Sequence, residues 1–181
     1  MSEIVIAPNS VLAKKTKPVG KVNKNILNII EDMKVSLLSA TDPIGVGLAA
    51  PQIGRSLQIF ITKPTIESKI SVFINPKIIL LENTVLKKKE SKKYTKLEGC
   101  LSLPSIWGEV KRSSSLTLEY IDTKGKKHTR IFKGFMAIII QHEIDHLNGA
   151  LFPKRVLEQA GILYKSEKNK EGKEIFEEIQ I

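Results

Sequence analysis

Residues 135–149 read FMAIIIQHEIDHLNG, and no other stretch restricts the fold as much. Phe135, Ile138, Ile139 and His142 recur at helical spacing, which predicts a helix over about 133–148. Gly149 is placed to end it. The opening FMAIII is apolar on every side, so such a helix must be buried and the rest of the chain must wrap it. The wrapping material reads as β-structure. Strand-like runs stand at 57–62 (LQIFIT), at 71–82 (SVFINPKIILLE) and at 115–132. The last of these, SLTLEYIDTKGKKHTRIF, reads as a hairpin turning at DTKGKK. A second helix over 23–40 puts Ile26, Leu27, Ile30, Met33, Leu37 and Leu38 on one side, with Asn23 as its cap. In the tail, Ile175, Phe176, Ile179 and Ile181 alternate irregularly with polar residues, which favours a terminal strand. The expected class is α+β: mainly antiparallel sheet packed around one long buried helix, plus an N-terminal helix. No repeat or low-complexity linker divides the 181 residues, so one domain over 1–181 is expected, its tail from about 154 being variable.

Two of the chain's three histidines fall in one turn of the buried helix, as His142-Glu143-x-x-His146. Four residues apart, both imidazoles lie on one face and can meet a single ion, while Glu143 can serve a water held there. Two satisfied core histidines are the plain alternative. A carboxylate beside them in apolar surroundings is costly unless compensated, and a divalent cation compensates it. The single cysteine, Cys100, follows Gly99, where the backbone can approach another element closely. Cys100 reads either as a small buried hydrophobe or as the third ligand of a Cys/His/His set with one position open for water. The longer zinc-peptidase pattern fails, because Phe152 stands where its third histidine belongs. A downstream glutamate, Glu158 or Glu167, leaves a shorter peptidase pattern open.

Composition excludes more than it identifies. With 41% hydrophobic and 27% charged residues and no bilayer-length apolar run, the chain is globular. A lone cysteine forms no internal disulfide, which fits a reducing cytosol, and the N-terminus shows no secretory signal; the lack of an Arg/Ser-rich transit pattern favours a bacterial cytosol over an organelle. The net charge of +10 points to a polyanionic neighbour. The lysines are dispersed, however, apart from KKKESKKYTK at 87–96, which reads as a solvated loop.

Three segments taken in order, GVGLAAPQ at 45–52, EGCLS at 98–102 and HEIDH at 142–146, resemble the signature motifs of the peptide deformylase family, and FINPKI at 73–78 is similar to its usual strand. The likeness runs from about residue 5 to 153. It implies an enzyme that removes the formyl group from the N-terminal formylmethionine of nascent polypeptides. By that resemblance Cys100, His142 and His146 hold one divalent ion, Fe(II) in the cell, with Zn(II), Ni(II) or Co(II) able to replace it. Glu143 is then the general base toward the attacking water and returns a proton to the departing amine. The Gln52 amide and the Leu101 N–H become the oxyanion donors. The family's substrate pairs like an added strand with the segment holding Gly45, Val46 and Gly47, where simple turn glycines are the plain alternative; Val46, Ile138 and Ile139 are candidates for lining the methionine pocket, with plain core as theirs. No membrane partner and a monomer are expected. The alternative is a basic ribosome- or RNA-associated protein carrying an inactive site of this kind.

The chain departs from the family pattern at a few places. Asn9 and Ala13 replace an aspartate and an arginine common near the start. Trp107 stands where many relatives carry an arginine at the pocket mouth, which implies altered handling of residues beyond the methionine. The end lacks the long basic helix that some relatives use at the ribosome, so transient ribosome contact rests on the +10 charge alone.

Overall fold

The computed structural model describes residues 2–85, 97–169 and 171–180. The lysine run at 87–96 and Ile181 lie outside them. In chain order come helix α1 (Lys24–Ser39) and strands β1 (Gly47–Ala49), β2 (Ile59–Thr62), β3 (Ser71–Val85), β4 (Glu98–Cys100), β5 (Leu103–Gly108), β6 (Ser113–Ile121) and β7 (Lys127–Lys133). Helices α2 (Phe135–Leu147) and α3 (Phe152–Glu158) follow, then β8 (Leu163–Lys168) and β9 (Glu174–Glu178). Among the described residues the strands form two antiparallel sheets, ordered β1-β2-β3-β6-β7 and β4-β5-β8-β9. The α+β expectation holds, and α2 is its centre.

The run Ile59–Thr62 is buried at every position because the first sheet is covered on both faces. Alternation along β2 sends Ile59 and Ile61 toward α1, where they join Ile30, Met33 and Leu37. It sends Phe60 toward α2, into a cluster with Phe73, Leu116, Leu118, Ala137 and Ile140. Phe60 and Phe73 stack there at 4.6 Å. A third cluster of Cys100, Phe152, Val156 and Leu163 ties the second sheet to α3.

The ends of both long helices follow the local chemistry of the sequence. The Asn23 side chain accepts the Ile26 N–H at 3.1 Å, the expected cap of α1. Helix α2 begins at Phe135, two residues later than expected, because Lys133 pairs with Ser115 as the end of β7. Gly149 ends it at φ +69, and a Cβ there would meet the Ala13 backbone at 2.7 Å. The expected hairpin is β6–β7, where Asp122 accepts the N–H groups of Lys124 and Lys126 at 2.8 and 2.9 Å. The expected terminal strand is β9, all five residues of it exposed.

The face of α1 needs correction. Leu27 and Leu38 are exposed by 39% and 57%, whereas Ile29 is buried with Ile26, Ile30, Met33 and Leu37. Positions 26, 29, 30, 33 and 37 follow the 3.6-residue period, and Leu27 and Leu38 stand about 100° away from it. Met33→Ala is therefore expected to destabilise the fold by about 2–5 kcal/mol, and Leu27→Ala by about 1 kcal/mol or less. Urea unfolding midpoints of the two variants decide it; equal losses would contradict the assigned face.

Candidate metal centre

Helix α2 carries His142 and His146 one turn apart, and β4 brings Cys100 to them from the other sheet. Cys100 Sγ lies 3.2 Å from His146 Nε2, and the ligand atoms of Cys100, His142 and His146 all fall within 4.8 Å of one another. Metal–sulfur and metal–nitrogen bonds of about 2.3 and 2.1 Å in tetrahedral geometry place donors roughly 3.5 Å apart, so the cluster has the right scale. His142 Nδ1 is hydrogen-bonded to Glu98 Oε2 at 3.0 Å, which leaves Nε2 for the cluster.

The electrostatics also fit a cation. Burial disfavours charge on both imidazoles. At His146 burial prevails and holds the pKa well below the ordinary value. At His142 the hydrogen bonds with Cys100 and Glu98 outweigh it and raise the pKa well above. A neutral His146 keeps its Nε2 lone pair beside the sulfur, as a metal ligand must. Glu143 is 3% exposed, and its Oε2 has no hydrogen-bond partner among the described residues. Burial pushes its pKa up to about 7, against the ordinary 4.5. An unpartnered buried carboxylate oxygen beside the cluster calls for a water or a cation there.

The ligands are held by an ionic chain. Arg112 donates Nε and Nη2 to the two carboxylate oxygens of Glu98, at 2.7 and 2.9 Å, and Nη1 to Asp145 Oδ2 at 2.6 Å. Arg155 grips the other oxygen of Asp145 through Nε and Nη2 at 3.1 and 2.7 Å. Burial opposes ionisation of Glu98, but the hydrogen bonds from Arg112 and His142 prevail and hold its pKa at about 2.

Gln52 is buried beside the sulfur. Its Oε1 accepts the Ala49 N–H at 2.8 Å, and its Nε2 donates to Ser102 Oγ at 3.2 Å and faces Cys100 Sγ at 3.6 Å. Cys100 pairs with Leu103, so Leu101 and Ser102 form the tight turn between β4 and β5. The N-terminal segment fastens both neighbourhoods, Val5 N–H bonding Gln52 O and Ala7 N–H bonding Ser102 O at 2.8 and 2.9 Å. Above the centre opens a cleft of about 200 Å³, lined by Gly45, Val46, Gly47, Ile138 and Ile139 together with Gln52, Cys100, Leu101, His142 and Glu143. Gly47 permits this arrangement: a Cβ there would collide with the Glu143 carboxylate and stand 2.9 Å from Ile139 Cγ2.

Every site residue expected from the sequence therefore borders this one region. Arg112, Arg155 and Phe135, which also lines the cleft, were not expected. The two arginines left a trace in the sequence. The chain has four arginines against twenty-five lysines, and these two follow the EGCLS and HEIDH segments closely. Buried motif acids need bidentate donors, which lysine does not provide.

Fold and site together define a hydrolase class built on a Cys/His/His centre with a buried glutamate. A family model described as polypeptide deformylase matches residues 1–160. The peptide deformylase of Rhizobium meliloti is 38% identical over 152 residues, covering 82% of this chain and 81% of the relative. That of Pseudothermotoga lettingae is 40% identical over 152 residues, covering 84% and 81%. The crystal structure of peptide deformylase from Thermotoga maritima superposes with a TM-score of 0.74 at 34% identity, covering 86% of this chain and 97% of that one. The chain belongs to the peptide deformylase family.

Because the folded pKa of Glu98 lies below its ordinary 4.5, its contribution to stability is complete above about pH 4.5 and is lost as pH falls toward 2. Chelator-treated protein should lose stability steeply across that window, and Glu98→Gln should remove most of the slope. Urea midpoints between pH 5.5 and 2.5 check this; an unchanged slope in the variant would place the acid sensitivity elsewhere.

Proposed function

We propose that this deformylase removes the formyl group from the formylmethionine of newly made polypeptides by metal-dependent hydrolysis, with Glu143 as its proton-transfer group. The observation that carries the reading is the buried carboxylate of Glu143, which lies against the Gly47 edge of the cleft that His142 and Cys100 also line, and whose Oε2 has no partner among the described residues. A bound divalent ion supplies the Lewis acidity that acidifies water and polarises the formyl oxygen. Family resemblance favours iron(II), and a thiolate with two imidazoles equally suits zinc, nickel or cobalt.

The chain's own residues do the rest. Glu143 removes the proton of the water that attacks the formyl carbon, and a carboxylate with pKa near 7 is well matched to that transfer at neutral pH. It then delivers a proton to the amine as the C–N bond breaks, leaving formate and a free methionine N-terminus. Gln52 Nε2, anchored by its own carbonyl on Ala49, and the Leu101 backbone N–H stabilise the oxyanion. The edge holding Gly45, Val46 and Gly47 receives the substrate backbone as an added strand, and Val46, Ile138 and Ile139 offer the methionine side chain an apolar pocket. Because β1 and β4 bring site residues from different sheets, 1–181 acts as one catalytic domain in this reading.

Protein reconstituted anaerobically with Fe(II) or Ni(II) should release formate from formyl-Met-Ala-Ser. Glu143→Ala should keep its metal and lose turnover, and Gln52→Ala should lower kcat by about 10²–10³-fold. Full metal occupancy in the wild type with no formate released would refute the proposal.

A further inference from the structure

Residues 2–19 precede all three family segments, yet they reach the neighbourhood of each. Val5 N–H donates to Gln52 O at 2.8 Å in the first segment, and Ala7 N–H donates to Ser102 O at 2.9 Å in the second. Thr16 donates both its N–H and its hydroxyl to Leu147 O, each at 2.9 Å, one residue past the third. The arm is itself anchored: Ser36 Oγ donates to Ser2 O, Ile4 packs on the α1 cluster, and Leu12 is fully buried.

The first two contacts bear on the oxyanion donors, which come from different sheets. Gln52 follows β1, and Leu101 lies in the turn between β4 and β5. Strands β1 and β4 each stand at the edge of their sheet, so among the described residues no backbone ladder joins them. The arm supplies that missing link. Val5 and Ala7 are two residues apart, the spacing at which an extended chain presents N–H groups on one side, roughly 6.6 Å from each other. One of them holds the carbonyl of Gln52, the other the carbonyl of Ser102 beside Leu101. Ser102 adds a side-chain tie, because its Oγ accepts one of the two hydrogens on Gln52 Nε2 at 3.2 Å. The second hydrogen is left on the side of the Cys100 sulfur, which lies 3.6 Å away at the cleft.

We propose that the N-terminal arm, through the backbone N–H groups of Val5 and Ala7, sets the distance between the two oxyanion donors. This rests on the deformylase reading of the same site. Val5 and Ala7 do not line the cleft and touch no substrate, so they are positioning residues. Donors aimed at the oxyanion stabilise the transition state more than the bound substrate. An error in their spacing therefore lowers kcat and leaves KM and metal retention as they were.

The test uses nickel-loaded, full-length protein. Val5→Pro removes the N–H that holds Gln52, and Ala7→Pro the one that holds Ser102. Ile6→Gly keeps both donors and loosens the chain between them. For each variant, alone and combined with Gln52→Ala, kcat and KM for formyl-Met-Ala-Ser, metal content and urea midpoint are measured. Each proline variant is expected to lose about tenfold in kcat, part of the roughly 10²–10³-fold that deleting a donor costs. Its KM and metal content should stay within about twofold of wild type, and Ile6→Gly should lose about threefold in kcat. In Gln52→Ala, Val5→Pro should cost less than about twofold, because the donor it places is gone, whereas Ala7→Pro keeps its loss through Leu101. A merely structural arm gives equal losses in both backgrounds. Hydrogen exchange in the metal-free protein reads the turn directly, and the Leu101 N–H should exchange about tenfold faster in Ala7→Pro.

Wild-type kcat in the metal-loaded proline variants overturns the proposal, as does a Val5→Pro loss undiminished in Gln52→Ala, or an unchanged Leu101 exchange rate. A rate loss accounted for by higher KM or missing metal overturns it too. Should the proline variants fail to fold, Ile6→Gly decides: lower kcat at unchanged KM supports the arm's role, and unchanged kcat sinks it. Absence of formate from wild type would instead refute the deformylase reading, and the arm's role in that step with it.

Discussion

Arg112 ties together the two elements that carry the candidate ligands. Its guanidinium clamps Glu98, at the start of the strand that carries Cys100, and Asp145, on the helix that carries both histidines. Three ligands from two packing layers thus share one rigid fork. A buried ion pair is a poor source of net stability, because desolvation offsets most of the Coulomb gain. Its value here is positional. Bidentate geometry sets the rotamer of Glu98, Glu98 sets the tautomer and tilt of His142, and the ring then presents its free nitrogen to the sulfur. Arg155 repeats the device on the second oxygen of Asp145, so α3 locks the far end of the same chain.

Close approach is the second constraint. Gly47 lets the β1 edge come against Glu143 and Ile139, and Gly99 lets an indole lie on the ligand strand. In each case the missing side chain is what places backbone within reach of a peptide on one side and of the centre on the other. Neither position has a positive φ; steric room, and not backbone freedom, explains these two glycines.

What the sequence made legible follows from how local each interaction is. Two histidines on one helix face, a cysteine after a glycine, the cap at Asn23 and the turn at DTKGKK are settled within a few residues, and each stands as expected. The face of α1 was harder, since eight apolar residues over one helix support more than one stripe until the sheet beneath selects Ile29 over Leu27. Arg112 and Arg155 were not legible as site residues because their partners lie 14, 33 and 10 positions away, across different elements. Only their rarity among lysines hinted at a fixed role. Phe135 shares a helical stripe with Ile138, Ile139 and His142, and as the first residue of α2 it is 45% exposed and lines the cleft with them.

The same packing sets the protonation of the site. Glu143 is 3% exposed, and burying a carboxylate this fully costs solvation free energy that a protein selected for stability alone would avoid. The surroundings offset it with dense apolar contact: Ile139 and Ile140 on the same helix, Leu48 and Ala49 on the facing edge, all essentially excluded from solvent. That contact keeps the carboxylate desolvated, and desolvation is what raises its pKa toward the range useful for proton transfer. The apolar run FMAIII is therefore more than a core anchor. By burying α2 it sets the dielectric in which Glu143 works, while the ionic chain through Arg112 keeps Glu98, a few ångströms from the same ligands, fully ionised. Two glutamates at one centre are thus shifted in opposite directions, Glu143 upward by the burial that α2 imposes and Glu98 downward by Arg112 and His142.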